Sequence, residues 1–141
     1  MILKPFKPFH LSILDTQGCN VEIDNELKTS ILMRGGKNIF SAFDGDKILA
    51  IGGVSAYWKG VGEAWVLYTK DLIAKKFSCY KATKIIFQAI VDGGAFFRIQ
   101  CTCLQSARHC RFLECLGFEK ICNLRRYYTE TSDAVMYEYL V

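Results

Sequence analysis

Apolar and polar positions change period several times along the chain, and each change marks an element. Between Phe96 and Leu104, the residues Phe97, Ile99, Cys101 and Cys103 alternate with Arg98, Gln100 and Thr102. That period of two places alternate side chains on opposite faces of a strand. From Ser106 the period lengthens, and His109, Phe112, Leu113 and Leu116 stand at i, i+3, i+4 and i+7, which is one face of an amphipathic helix. Ser106 is placed as its N-cap. Gly117 is placed to take the left-handed conformation that ends a helix, with Phe118 folding under the last turn.

Upstream, Met1 to Phe6 predicts a short strand, and Pro8 suits the first turn of a helix through Leu11 and Leu14. Asp24 or Asn25 caps a second helix through Leu27, Ile31 and Leu32 that ends at Arg34-Gly35-Gly36. Ile39 to Phe43 and Lys47 to Val54 are β-rich runs joined by Asp44-Gly45-Asp46, a hairpin signal. Gly52-Gly53 inside the second run predicts a bulge or a close approach of backbone. Ser55 to Trp58 continue that strand, Lys59-Gly60-Val61-Gly62 turn, and Glu63 to Thr69 form the next, which completes an antiparallel meander. Ser78, Cys79, Ala82, Ile86, Ala89 and Ile90 then recur at helical spacing, with Lys81, Lys84 and Gln88 outside and Gly93-Gly94 closing the helix. Beyond Phe118, Glu119 to Tyr128 and Ala134 to Val141 alternate on either side of Thr129 to Asp133, a final hairpin. The fold class is α/β (α+β), a mixed, mostly antiparallel sheet of about six to seven strands flanked by about four helices in one domain spanning the chain.

Composition narrows the function classes. A chain of 141 residues that is 51% hydrophobic is long and apolar enough for one domain with its own core. With two prolines, no repeat and no biased tract, solenoid and disordered architectures are excluded. The net charge of +4 is mild, and the basic residues lie in pairs, Lys75-Lys76 and Arg125-Arg126, beside Arg108 and Arg111. That pattern favours a solvated surface over a nucleic-acid partner. The start is interrupted by Lys4, Pro5, Lys7, Pro8 and His10, so no signal peptide and no membrane span are expected, and a cytoplasmic location is. The seven cysteines are odd in number and form no C-x-x-C pair. They read as reduced, buried small hydrophobes ahead of disulfide, zinc ligand or nucleophile, and no metal site is expected.

The order of elements resembles the GCN5-related N-acetyltransferase (GNAT) superfamily over nearly the whole chain. Two stretches carry the resemblance: Ile48 to Gly53 with Gly62-Glu63-Ala64-Trp65, and Ser106 to Phe118 against the family's Asn-x-x-Ala-x-x-x-Tyr-x-x-x-Gly-Phe. More narrowly, Leu49 to Gly53, Ala64-Trp65, Arg111-Phe112-Leu113 and Gly117 are similar to small acetyltransferase-like proteins of short-tailed bacteriophages, described as internal virion or morphogenesis proteins. The resemblance implies acetyl-CoA as cofactor in a wedge between the fourth and fifth strands. Backbone at Val66, Leu67 and Tyr68 would hold the pantetheine arm and thioester carbonyl. The pyrophosphate would meet the start of the long helix, where Lys75, Lys76 and Ser78 stand, because a helix N-terminus offers unpaired amides and partial positive charge. Ser106 takes the place of the family's asparagine. Glu63 is implied as the base, since an alkylammonium of pKa ~10 cannot attack a thioester before losing its proton; by itself it also fits a solvent-facing glutamate at a strand start.

Two departures weigh against that chemistry. The family's Gln/Arg-x-x-Gly-x-Gly/Ala segment falls on Lys75 to Tyr80, which contains no glycine, so Phe77, Cys79 and Tyr80 put side chains where phosphates need bare backbone. The tyrosine that protonates the CoA thiolate falls on Leu113, which has no proton to give. His109, one turn earlier on the same face and with an ordinary pKa of ~6.5, is the candidate replacement acid, against the commoner role of a hydrogen-bonded core histidine. Tyr127 and Tyr128 are further candidates. Three functions compete. A scaffold working through a protein partner, a virion or host protein met by Tyr57, Trp58, Tyr127 and Tyr128 in the host cytoplasm or the virion, explains both departures together. The alternative is an active N-acetyltransferase acting on an amine of a protein or small molecule. A nucleic-acid binder using Lys75, Lys76, Arg108, Arg111, Arg125 and Arg126 comes third, because the charge excess is small.

Overall fold

Gly45 and Asp46 close the first turn of the meander: Asp44 pairs with Lys47, and Gly45 has φ of +60°, the left-handed geometry a two-residue hairpin turn demands. This computed structural model describes residues 1–34 and 36–141. Its elements are β1 (Ile2–Pro5), α1 (Phe9–Gln17), α2 (Asn25–Arg34), β2 (Ile39–Asp44), β3 (Lys47–Trp58), β4 (Gly60–Tyr68), α3 (Lys70–Ala74), α4 (Lys76–Asp92), β5 (Phe96–Leu104), α5 (Ala107–Cys115), β6 (Glu119–Thr129) and β7 (Ser132–Leu140). The seven strands form one sheet in the order β1-β2-β3-β4-β5-β7-β6. β4 and β5 run parallel, while β1-β2, β2-β3, β5-β7 and β6-β7 are antiparallel. This is the mixed sheet the patterns predict, with α3 as an additional helix. α3 is anchored by the one buried residue Leu72, and five residues are too few to show a period.

The chain groups into two units, Met1–Ser55 with Trp65–Asp92, and Ala56–Ala64 with Gly93–Val141. In the first, Leu11 and Leu14 of α1, Ile31 of α2, Ile39 and Phe43 of β2, Ile48 and Ile51 of β3, and Leu67 of β4 form one buried cluster with Ile23. Asp24, not Asn25, caps α2, its Oδ1 accepting from the Leu27 amide at 2.8 Å. Leu32, expected on the inner face, is 48% exposed, because Ile31 alone of that helix is buried; of the expected helix end, Gly35 lies outside the described residues. The inner line of α4 also differs, with Phe87 and Ile90 buried and Ser78 and Ala89 exposed. The bulkier Phe87 takes the central position. Gly52 and Gly53 answer to close approach: a Cβ on Gly52 would lie 2.6 Å from the Trp65 carbonyl oxygen, and one on Gly53 would collide with the Asn38 carbonyl. The bulge sits elsewhere, between Ala42 and Phe43.

His10 is buried in the same unit. Its Nδ1 accepts from the Lys7 amide at 3.2 Å and lies 2.8 Å from Ser41 Oγ, so Nδ1 is the acceptor nitrogen and the ring proton sits on Nε2. Phe9 and Phe43 flank the ring at 4.5 and 5.2 Å between centroids. Burial, then the charges of Lys7 and Lys4, push its pKa down. The unfolded chain takes up this proton near pH ~6.5 and the folded chain only below that, so the unfolded state binds more protons in this window. Stability is therefore full above pH ~6.5 and falls as the pH drops below it. A urea midpoint lower at pH 5.5 than at pH 7, with the difference reduced in His10→Gln, is the expected result.

In the second unit, Lys59 alone turns and β4 already begins at Gly60, where a four-residue turn was expected. Gly60 has φ of +87°, and the Phe97 ring lies over its Cα, a contact that needs glycine. The register between β4 and β5 shifts at this point, with Gly60 opposite Phe96 and Val61 opposite Arg98. Phe97 is thus the extra residue of a bulge, and the expected parity at the start of β5 is reversed, with Phe97 62% exposed and Phe96 buried. The alternation resumes with Ile99 and Cys101 inside. The last turn is shorter than expected, Thr129 pairing with Ser132. α5 ends as the sequence predicts: Gly117 has φ of +98°, the Phe118 amide donates to Leu113 O at 3.1 Å, and Phe118 is buried against Tyr139.

Candidate functional site

β4 supplies the strand end on which the expected cofactor contacts stand. The Thr69 amide donates to Leu49 O of β3 at 2.9 Å. Successive strand residues alternate the edge to which they turn their polar backbone groups, so Tyr68 presents its own N–H and C=O to the opposite edge. Both groups are taken by Asn20, from the connection between α1 and α2: the Asn20 amide donates to Tyr68 O at 2.8 Å, and the Tyr68 amide donates to Asn20 Oδ1 at 2.9 Å. The Cys19 thiol donates to the same Oδ1 at 3.2 Å. Of the three expected strand residues, Val66 is exposed, Leu67 turns its side chain into the buried cluster, and Tyr68 is half-buried.

Lys75, Lys76 and Ser78 lie together at the start of α4. The Cys79 amide is the one that reaches back to Lys75 O, at 2.9 Å, so the amides of Lys76, Phe77 and Ser78 precede the first intrahelical bond. The lysines have local partners. Lys75 forms an ion pair with Asp44, which holds that carboxyl below its ordinary pKa through the hydrogen bond and then the charge. Lys76 Nζ lies 5.3 Å from the centre of the Phe77 ring. Phe77 is 75% exposed, and Tyr80 lies under Lys84 Nζ at 6.0 Å.

In the second unit Glu63 is half-buried on β4, opposite Gln100, and its Oε2 accepts a hydrogen bond from Tyr57 OH of β3. Ser106 caps α5 as expected, its Oγ accepting from the His109 amide at 3.3 Å and also meeting His109 Nδ1. Burial and then Arg108 lower the His109 pKa, so the ring is neutral at neutral pH. A general acid must carry its proton when the leaving group departs, and this shift works against His109 in that role. Leu113, where the family's tyrosine would stand, is 7% exposed. Because the Ser106 hydroxyl satisfies an α5 amide, Ser106→Ala is expected to lower the unfolding free energy by about 1 kcal/mol, measured by urea denaturation.

Cys101 is buried, Cys115 is exposed and the other five are half-buried free thiols, so burial is less general than the pattern predicts. Cys115 ends α5 on its solvent side. Burial, then the neighbouring Cys103 and Glu63, push the Cys101 thiol up to about 12. Burial, then Cys110, does the same to Cys103. The nucleophile is the thiolate, so neither is primed for acyl transfer. Tyr127 and Tyr128 form an exposed edge-to-face pair with ring centres 5.1 Å apart, and Tyr57 and Trp58 an exposed tilted pair at 5.8 Å. Among the described residues no group of three or more His, Cys, Asp and Glu is arranged to hold a metal. Asn20 escapes sequence reasoning, as do the pairings of Tyr57 with Glu63 and of Asp44 with Lys75; Asn20 meets Tyr68 across 48 residues, a separation on which no local spacing reports.

No protein-family model and no curated protein matches the chain. Solved structures do. Ard1 from Thermoplasma volcanium superposes with a TM-score of 0.83 at 12% identity, over 99% of this chain and 97% of that one. An acetyltransferase of the GNAT family from Bacillus anthracis follows with 0.71 at 12% identity, over 98% and 93%. This is the GNAT fold. The acetyltransferase of Bacillus subtilis, solved in complex with CoA, matches with 0.68 at 14% identity over 84% of each chain. The order of strands and helices is that of the fold, and the start of α4, Lys75 to Tyr80, contains no glycine.

Proposed function

We propose that this GNAT-fold chain does not transfer acetyl groups and works by binding another protein. The observation that supports the reading lies where the resemblance would put the general acid: Leu113 is buried and has no proton to give, while His109 meets the Ser106 hydroxyl and has its pKa lowered by burial. The exposed pairs Tyr57-Trp58 and Tyr127-Tyr128 support a protein partner, since aromatic residues are enriched at protein interfaces. The likeness of Leu49 to Gly53, Ala64-Trp65, Arg111 to Leu113 and Gly117 to the phage proteins favours a virion or host protein as that partner, met in the host cytoplasm or in the particle. The nucleic-acid reading gains no support, because Lys75 is already paired with Asp44.

A second reading, an acetyl-CoA-dependent N-acetyltransferase, is favoured by one observation: Glu63, the implied base, is half-buried and oriented by Tyr57. Thiol release from acetyl-CoA in the presence of amine-bearing peptides and polyamines separates the two. The proposal expects no release above the protein-free rate. Acceptor-dependent release that is lost in Glu63→Gln would establish the enzyme instead.

A further inference from the structure

We propose that Asn20 is a built-in substitute for a ligand's amide and holds the free edge of β4 closed. The inference concerns the regulation of the cofactor site just discussed and rests on the reading that places the pantetheine arm along Val66 to Tyr68. A strand residue turns one N–H and one C=O to the same edge, and an extended ligand satisfies both with the C=O and N–H of its own amides. Asn20 offers this pair from one residue, its backbone N–H to Tyr68 O and its side-chain Oδ1 to the Tyr68 N–H, at 2.8 and 2.9 Å. The described β4–β5 pairs involve Gly60 to Glu63, and at Tyr68 it is a loop residue that takes both groups. Half of the closure therefore depends on one side chain.

The surrounding chain is held on both sides of that residue: Gln17 Oε1 accepts from the Ile48 amide at 3.0 Å, and Cys19 packs against the core cluster. Leu14 before it and Ile23 after it are buried in the unit's core, whereas Gly18, Asn20, Val21 and Glu22 between them are exposed. Gly18, with φ of +89°, takes the chain out of α1 in a conformation that larger residues disfavour. The Asn20 side chain, which is exposed, is the part that must turn away from the Tyr68 amide for a ligand to enter. A ligand amide then exchanges one hydrogen bond for another, so Asn20 competes with the arm bond for bond and weakens its binding. The ligand class is an extended, amide-bearing chain, of which the pantetheine arm is one.

S-acetylpantetheine tests this directly, because it carries the arm's amides and the thioester but no phosphate, so the crowded start of α4 does not enter. The full-length chain is titrated while the Tyr68 amide is followed by NMR and hydrogen exchange. In Asn20→Ala the Tyr68 amide is expected to exchange faster, and S-acetylpantetheine to bind about tenfold more tightly than to the wild type, the factor worth roughly one competing hydrogen bond. Asn20→Asp, which keeps an acceptor oxygen, should behave as the wild type, and Asn20→Gly should repeat the alanine result. A folded Asn20→Ala chain that binds no better than the wild type, or whose Tyr68 amide stays protected, overturns the inference and leaves the non-catalytic reading standing. Acceptor-dependent thiol release by the wild type overturns that reading without touching the Asn20 comparison.

Discussion

A Gly53→Ala chain is expected to lose about 3 kcal/mol of stability, at the upper end of the usual penalty for forcing a methyl into filled space, measured as a lowered urea midpoint at unchanged slope. Gly53 pairs with Ile39 across the β2-β3 ladder. The Asn38 carbonyl lies over its Cα and accepts from the Val54 amide at 3.0 Å. A methyl group there meets the Asn38 and Ile39 backbone, which is fixed by the ladder and cannot swing away as a side-chain end would. Relief requires the strands to part. Gly45 is the contrast: nothing lies within 4 Å of a Cβ built on it, so alanine there strains one turn residue and leaves the ladder intact.

Leu14→Ala is expected to cost about 3 to 4 kcal/mol by the same measurement, the range for a fully buried leucine whose neighbours collapse only partly into the space left. Leu14 has no exposed surface and packs with Leu11, Ile23, Ile31, Ile39 and Ile48. It thereby ties α1 to the sheet and fixes one end of the connection that carries Asn20. Against a total stability of about 5 to 15 kcal/mol for a domain of this kind, the loss is a large fraction. A change below about 1 kcal/mol would mean that α1 is not seated as described.

Those two residues also show why so much of the fold could be read in advance. The hairpin at Asp44 to Lys47, the paired glycines at 52 and 53, and α5 with its Ser106 cap and Gly117 stop are local signals, each decided by residues within one turn or one strand of each other. Where a distant partner decides, the pattern fails. Phe97 alternates as an inward residue, yet a bulge opposite Gly60 turns it out. Gly60, Val61 and Gly62 look like a loop, but they pair with Phe96, Arg98 and Ile99 of β5, more than 30 residues away. α3 rests on Leu72 alone, and a five-residue helix has no period to detect. At the candidate site the same division holds. The Ser106 cap was legible, and its contact with His109 falls within the same turn of α5. Glu63 was legible as a position, but its partner Tyr57 was not. Asn20 carried no signal at all, since what makes it matter is a strand end 48 residues away.

Calorimetric titration of the purified wild type with acetyl-CoA, with desulfo-CoA as the thiol-free control, tests the central claim most directly. A GNAT fold with Asn20 on the Tyr68 edge and side chains at the start of α4 should give no heat of binding at millimolar ligand. Saturable binding of acetyl-CoA at micromolar concentration would contradict the account and return the chain to the enzymes whose fold it shares.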